Sequence, residues 1–160
     1  MAVDMFLKIE GIAGESSDHA HGEEIDVLAW SWGMSQSGTT HMGGGGGAGK
    51  VNVQDVSFTK YVDKASPDLM LGCCNGKHFP KAMLTVRKAG ENPVEYIKIT
   101  MEPVLVTSVS TGGSGGEDRL TENVTLNFAK VKTEYTPQAD DGTEEAALEY
   151  GWNIKENCKL

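Results

Sequence analysis

Gly44 to Lys50 have the spacing of a phosphate-binding loop, G-x-x-x-x-G-K, whose backbone amides would cradle the phosphates of a nucleotide. That chemistry also needs a Ser or Thr after the lysine to hold magnesium, and a helix N-terminus facing the phosphates. Val51 follows instead, and the stretch up to Val62 alternates like a strand. Nucleotide binding is therefore not expected, and the glycines read as a loop between two strands. His19-Ala-His21 would place two imidazoles on one face of a strand, but they lie in a polar loop without a cysteine or a spaced third ligand, so no metal is expected. His41 and His78 are isolated. No Ser-His-Asp or Cys-His arrangement has local support. With 23 acidic residues in the chain, some close carboxylate pair is inevitable, so Asp55 and Glu102 argue only weakly for a glycosidase. The residues point to no catalytic group, no metal and no cofactor.

The whole-chain properties narrow the partners. Its 160 residues suggest one domain, 1–160, with room for a real core. A net charge of −9 argues against nucleic acid and anionic lipid. No run of 18 apolar residues exists to insert into a membrane. The N-terminus lacks a basic start and carries Asp4 inside its apolar stretch, so it reads as a strand rather than a signal peptide. Cys73, Cys74 and Cys158 are an odd count with two neighbours, which suits a reducing cytoplasm.

Alternation and punctuation then give the elements that must position any site. Strands are expected over about 2–10, 24–34, 50–63, 81–88, 94–109, 120–135 and 148–154. In the second, Leu28, Trp30, Trp32 and Met34 form a bulky face read as core, and Val27, Ala29 and Ser31 a small face. In the third, the apolar parity switches near Asp55, which predicts a bulge. Ser66-Pro67 through Gly76 reads as one short helix, with Ser66 as its cap and Gly76 as its stop. Pro103 predicts a bend or an edge. In the 120–135 strand, Leu120, Val124, Leu126 and Phe128 face one way, and Thr121, Asn123, Thr125 and Asn127 face the other. The chain is mainly antiparallel β with one helix, and its long strands must bend or close into a barrel.

Several long segments, in order, carry a family likeness: Glu24-Ile-Asp-Val-Leu-Ala-Trp-Ser-Trp-Gly-Met-Ser-Gln36, the loop Gly43 to Lys50, Val53-Gln-Asp-Val-Ser-Phe-Thr-Lys-Tyr61, the stretch Ser110 to Phe128, and Tyr150-Gly-Trp-Asn-Ile154. Together they resemble the Hcp family, the haemolysin-coregulated tube proteins of bacterial type VI secretion, over Val3 to about Asn157. The adjacent cysteines 73 and 74 are not part of that pattern.

The resemblance implies a compact antiparallel β-barrel of two packed sheets with one short flanking α-helix. It implies homohexameric rings stacked into a tube, sheath and spike proteins as partners, and effector proteins in the lumen. It also implies synthesis in the cytoplasm followed by secretion without a cleaved signal peptide.

Read that way, Ala29 and Ser31 suit a smooth lumen wall near cargo, or pack under a neighbouring subunit. Thr121, Asn123, Thr125 and Asn127 line water or pack across subunits. The segment from Met34 to Gly49, with Gln36, His41, Met42, Gly44 and Gly46, becomes an arm ordered by docking on a neighbour, because five successive glycines hold no one shape alone. Gly90 and Glu91 would sit on a ring face, in stacking. Two other classes stay open: a hydrolase or nucleotide-binding enzyme, and a monomeric β-sandwich binding module for sugar or peptide.

Overall fold

A computed structural model describes residues 2–38, 41, 47 and 49–160. Met42, Gly44 and Gly46 lie outside the described residues. The elements in chain order are β1 (Val3–Ile9), β2 (Ile25–Asp26), β3 (Ala29–Ser31), β4 (Met34–Ser35), β5 (Asn52–Val53), β6 (Val56–Tyr61), α1 (Ser66–Asn75), β7 (His78–Phe79), β8 (Ala82–Lys88), β9 (Glu95–Thr111), β10 (Thr121–Tyr135), β11 (Leu148–Asn153) and β12 (Cys158–Lys159). The architecture is mainly β and antiparallel with one helix, as the sequence indicates. No helix among the described residues is long and apolar enough to cross a membrane.

β9 and β10 form the spine, paired from Glu122↔Thr111 to Tyr135↔Ile97. Over one half of their length the sheet continues from β9 through β8 to β1 and β2, and from β10 to β11 and β12. Over the other half β10 pairs with β6, and β6 with β3. The segment between β2 and β3 ties the two halves: the Val27 amide donates to the Met5 carbonyl at 3.0 Å, and the Leu28 amide to Thr59 at 2.8 Å. The hydrogen-bonded path thus leads from β10 through β9, β8, β1, residues 25–31 and β6 back to β10. The enclosed core includes Leu7, Ile25, Phe58, Leu84, Ile99, Met101, Leu126 and Phe128.

This path accounts for where the strands depart from expectation. The 24–34 segment is not one strand, because it changes partner at Val27–Leu28 and again before β4. Its bulky residues are not the core: Leu28 and Met34 are 40% and 43% exposed, and Trp30 and Trp32 only pack against the core from its rim. The parity switch near Asp55 is a break rather than a bulge. β5 pairs with β4 in a separate two-stranded sheet, while β6 joins β10. Pro103 does not interrupt β9; it lies between the stretch of β9 paired with β8, which ends at Met101, and that paired with β7, which starts at Val104. A proline without an N–H is tolerated where the outer neighbour changes. A bulge does occur in β9 opposite Thr125/Leu126, where Thr107 is the extra residue. Leu120 is 44% exposed, just outside β10.

Ser66 does not cap the helix. Ala65 holds the cap position without a side-chain bond, and Pro67 stands in the first turn. Gly76 ends the helix as expected, at φ 68 with its amide bonded to the Gly72 carbonyl.

Gly14 holds the loop before β2. A Cβ there would lie 2.3 Å from the Glu24 carbonyl oxygen and 2.7 Å from the Ile25 nitrogen. Gly14→Ala must push this backbone apart and is expected to cost about 1–3 kcal/mol, the usual range for overpacking. A urea denaturation midpoint equal to that of the unaltered protein would contradict this.

Candidate functional site: a polar sheet face

The pairing of β3, β6, β10 and β9 lays small polar side chains in rows across four strands. Ala29 pairs with Thr59, Thr59 with Asn123, and Asn123 with Ser110. One step along, Ser31 pairs with Ser57, Ser57 with Thr125, and Thr125 with Ser108. In each strand the alternate residues, such as Phe58, Val124 and Leu126, enter the core, so these must face away from it. Ala29 and Ser31 therefore share one face with Thr121, Asn123, Thr125 and Asn127. The sequence alone could not join these two sets, because the link runs through β6.

Hydrogen bonds knit the face. Thr59 Oγ1 donates to Asn123 Oδ1 at 2.7 Å. The Thr125 hydroxyl meets those of Thr107 at 2.6 Å and Ser108 at 2.8 Å. Asp55 is the charged group within this network, and its oxygens accept from Thr107 at 2.7 Å and Asn127 at 2.9 Å. At the rim, Arg119 lies over the Tyr61 ring, 3.7 Å from its centre. The hydroxyls bond to each other, and among the described residues no imidazole or ammonium contacts them to activate a nucleophile. No group of three metal-ligating side chains converges among the described residues. The arrangement is a network of short hydroxyl and amide side chains joined to the Asp55 carboxylate.

The other expected contact residues are spread around the molecule. Met34 and Gln36 line a groove of about 250 Å³ with Val51, Tyr150 and Trp152. The Tyr150 hydroxyl reaches the Met34 sulfur at 3.8 Å, and Trp152 Nε1 is buried without a hydrogen-bond partner among the described residues. His41 is exposed. Gly90 and Glu91 are exposed at the tip between β8 and β9, beside the 138–142 loop. Cys73 is half-buried on α1, while Cys74 and Cys158 are exposed, and all three are free.

Two charged clusters were missed by sequence reasoning. Lys60 and Glu122 are fully buried and ion-paired across β6 and β10. Lys60 Nζ also donates to Asp63 at 2.8 Å and Ser66 Oγ at 3.1 Å, and the Ser66 hydroxyl bonds Glu122. The signal was present: Lys60 follows the core parity of Val56 and Phe58, and Glu122 that of Val124 and Leu126. The second cluster is at His21, which is buried. Its Nδ1 lies 2.8 Å from Glu24 and its Nε2 2.6 Å from Glu95. Nearby, Arg87 bridges Asp18 at 2.6 Å and Asp4 at 3.1 Å and holds the Asp18 carboxyl well below the usual range. No sequence spacing links residue 21 to residue 95.

Comparison with known proteins gives the class of this bent, mainly antiparallel β chain. Residues 6–135 match the family model described as "Type VI secretion system effector, Hcp". The chain is 69% identical over 161 residues to protein hcp1 of Pseudomonas aeruginosa, covering 99% of each. Among solved structures it resembles Hcp1 from Salmonella typhimurium, at a TM-score of 0.81 and 39% identity, covering 99% of this chain and all of that one. It also resembles a structure described as a type six secretion system protein, at 0.94 and 29% identity with the same coverage. The chain belongs to the Hcp family of type VI secretion proteins.

Proposed function

We propose that this chain is the tube subunit of a type VI secretion system. Six copies close into a ring, rings stack head to tail into the expelled inner tube, and effector proteins travel in the lumen. Sheath and spike proteins are its other partners. It is made in the cytoplasm and leaves with the tube. Its role is structural, with no reaction, cofactor, nucleic acid or membrane insertion.

The observation that carries this reading is the continuous face of short polar side chains, whose network includes the Asp55 carboxylate bonded to Thr107 and Asn127. A conduit for varied cargo needs a wall that wets well and binds nothing tightly, and short hydroxyl and amide side chains already bonded to one another supply it. Ala29 and Ser31 contact cargo there, and Thr121, Asn123, Thr125 and Asn127, lying on the same face, extend the wall. Subunit contact falls to the arm, with Met34, Gln36, His41, Met42, Gly44 and Gly46, and to the groove beside Tyr150 and Trp152. Gly90 and Glu91 serve ring stacking. Family membership supports self-assembly of this kind, and a head-to-tail contact that does not close gives an open filament.

The test is the native mass of the purified protein at two protein concentrations. A species near six times 17.1 kDa, about 103 kDa, is expected. A persistent 17.1 kDa monomer would overturn the tube reading and favour a monomeric binding module for sugar or peptide.

A further inference from the structure

We infer that His21 is a proton-operated latch, its imidazolium clamping the Gly14–Glu24 loop onto the start of β9. The geometry sets the protonation state. An ionised carboxylate can only accept hydrogen bonds, and a neutral imidazole has a single N–H to give. Here both ring nitrogens face carboxylates, Glu24 from the loop and Glu95 from β9. Only the doubly protonated ring satisfies both. The two carboxylates sit on opposite edges of the ring, so the three groups cannot converge on a single cation.

The surroundings fix the ring in that position. Phe6 of β1 stacks on it, with centroids 4.5 Å apart and planes within 10°. Lys98 of β9 pairs with the other oxygen of Glu95 at 3.2 Å. Asp18 of the loop accepts from the His21 amide at 3.1 Å while its carboxylate binds Arg87 of β8, and Arg87 also holds Asp4 of β1. Burial opposes the charge on His21, but the bonds to Glu95 and Glu24 and their negative charges outweigh it, so the ring titrates above its ordinary value. Glu95 shifts the opposite way: burial is outweighed by its bonds to His21 and Lys98, and its carboxyl titrates low.

The direction of control follows. A raised folded pKa gives stabilisation that is complete below the ordinary histidine value near 6.5 and is lost as pH rises through the folded value. Loss of the proton leaves one carboxylate facing a ring lone pair, and the His21 end of the loop comes free. The Asp18–Arg87 tether persists, because arginine stays charged throughout this range. The loop is closed on itself by Gly14 donating to the Glu23 carbonyl at 2.7 Å, Ser16 to Glu24 at 2.9 Å and Glu23 to Ser16 at 2.8 Å. Those amides therefore report the latch. The device lies within one protomer, whatever its assembly, at the base of the turn that carries Gly90 and Glu91.

The experiment follows two exchange reactions by mass spectrometry on the intact protein between about pH 5.5 and 9, a range chosen to straddle the ordinary histidine value. Exchange of the imidazole C2 hydrogen reads the His21 titration. Amide exchange of peptides spanning residues 13–24, corrected for the intrinsic pH dependence, reads the loop. The expected result is a His21 midpoint above the ordinary value and a rise in loop exchange of about tenfold through that midpoint, the weight of one charge-assisted hydrogen bond. In Glu95→Gln the amide can donate to a neutral ring nitrogen, so the midpoint falls and the loop stays protected at high pH. A midpoint at or below the ordinary value would overturn the inference. So would loop exchange that is flat through the midpoint, or a Glu95→Gln variant that titrates and exchanges as the unaltered protein does.

Discussion

Glu122→Leu is expected to destabilise the fold by about 3–5 kcal/mol, the usual effect of removing one partner of a buried ion pair. Lys60 is fully buried. In this variant it loses the partner directly across the strand pair and keeps Asp63, Ser66 and the Tyr61 carbonyl. The change also deletes the acceptor for the Ser66 hydroxyl, which ties the start of α1 to β10. Lys60→Met leaves Glu122 in the converse position, with one carboxylate oxygen already buried and unbonded among the described residues of the intact protein. The double variant Lys60→Met/Glu122→Leu should recover most of the loss, because an apolar pair of similar volume removes both desolvation costs. Urea denaturation at one fixed protein concentration checks this through the midpoint at constant slope. Single variants no less stable than the parent would show that the pair contributes little. A double variant no better than the singles would show that α1 is anchored chiefly by the charges.

That pair marks the limit of what the sequence discloses. Strand periodicity located β1, β6, β8, β10 and β11, and the Ser66–Gly76 punctuation located α1, since these features depend on neighbours in the chain. The same periodicity placed Lys60 and Glu122 on core-facing positions, yet a charge on an apolar stripe is interpretable only when its partner strand is known. The 24–34 segment departs from the single strand its pattern predicts for a related reason: alternation fixes which residues share a side, and not which strand each stretch pairs with. Its residues bond to Met5, Thr59 and Val53 in turn. β7 and β12, two residues each, are too short to leave a period. His21 depends on a partner 74 positions away, so its burial was invisible. The family segments carried the functional class because they are long and ordered, while the roles of individual residues rested on faces that only strand pairing could assign.

Ser31→Arg separates the two roles open to the polar face. Ser31 is exposed on β3, the outermost strand of that face, so a long side chain can be carried without disturbing the core. Surface changes of this sort usually alter stability by less than about 0.5 kcal/mol, and the fold should persist. If the face lines a lumen, each ring gains six arginines pointing at the cargo path, in a wall whose charged network group is otherwise Asp55 bonded to Thr107 and Asn127. Cargo that rests on short hydroxyls then meets bulk and a strongly held charge at every subunit. The expected result is loss of co-purifying effector protein with the native mass still near 103 kDa, six times 17.1 kDa. If the face instead packs against a neighbouring subunit, the arginine must be buried in the interface without a partner, at a cost of several kcal/mol, and the ring itself should fall apart. A native mass of 17.1 kDa for this variant alone would therefore move Ala29, Ser31 and the Thr121–Asn127 row from the lumen wall to the subunit interface. Because all six residues share one sheet face, the single substitution decides for the whole set.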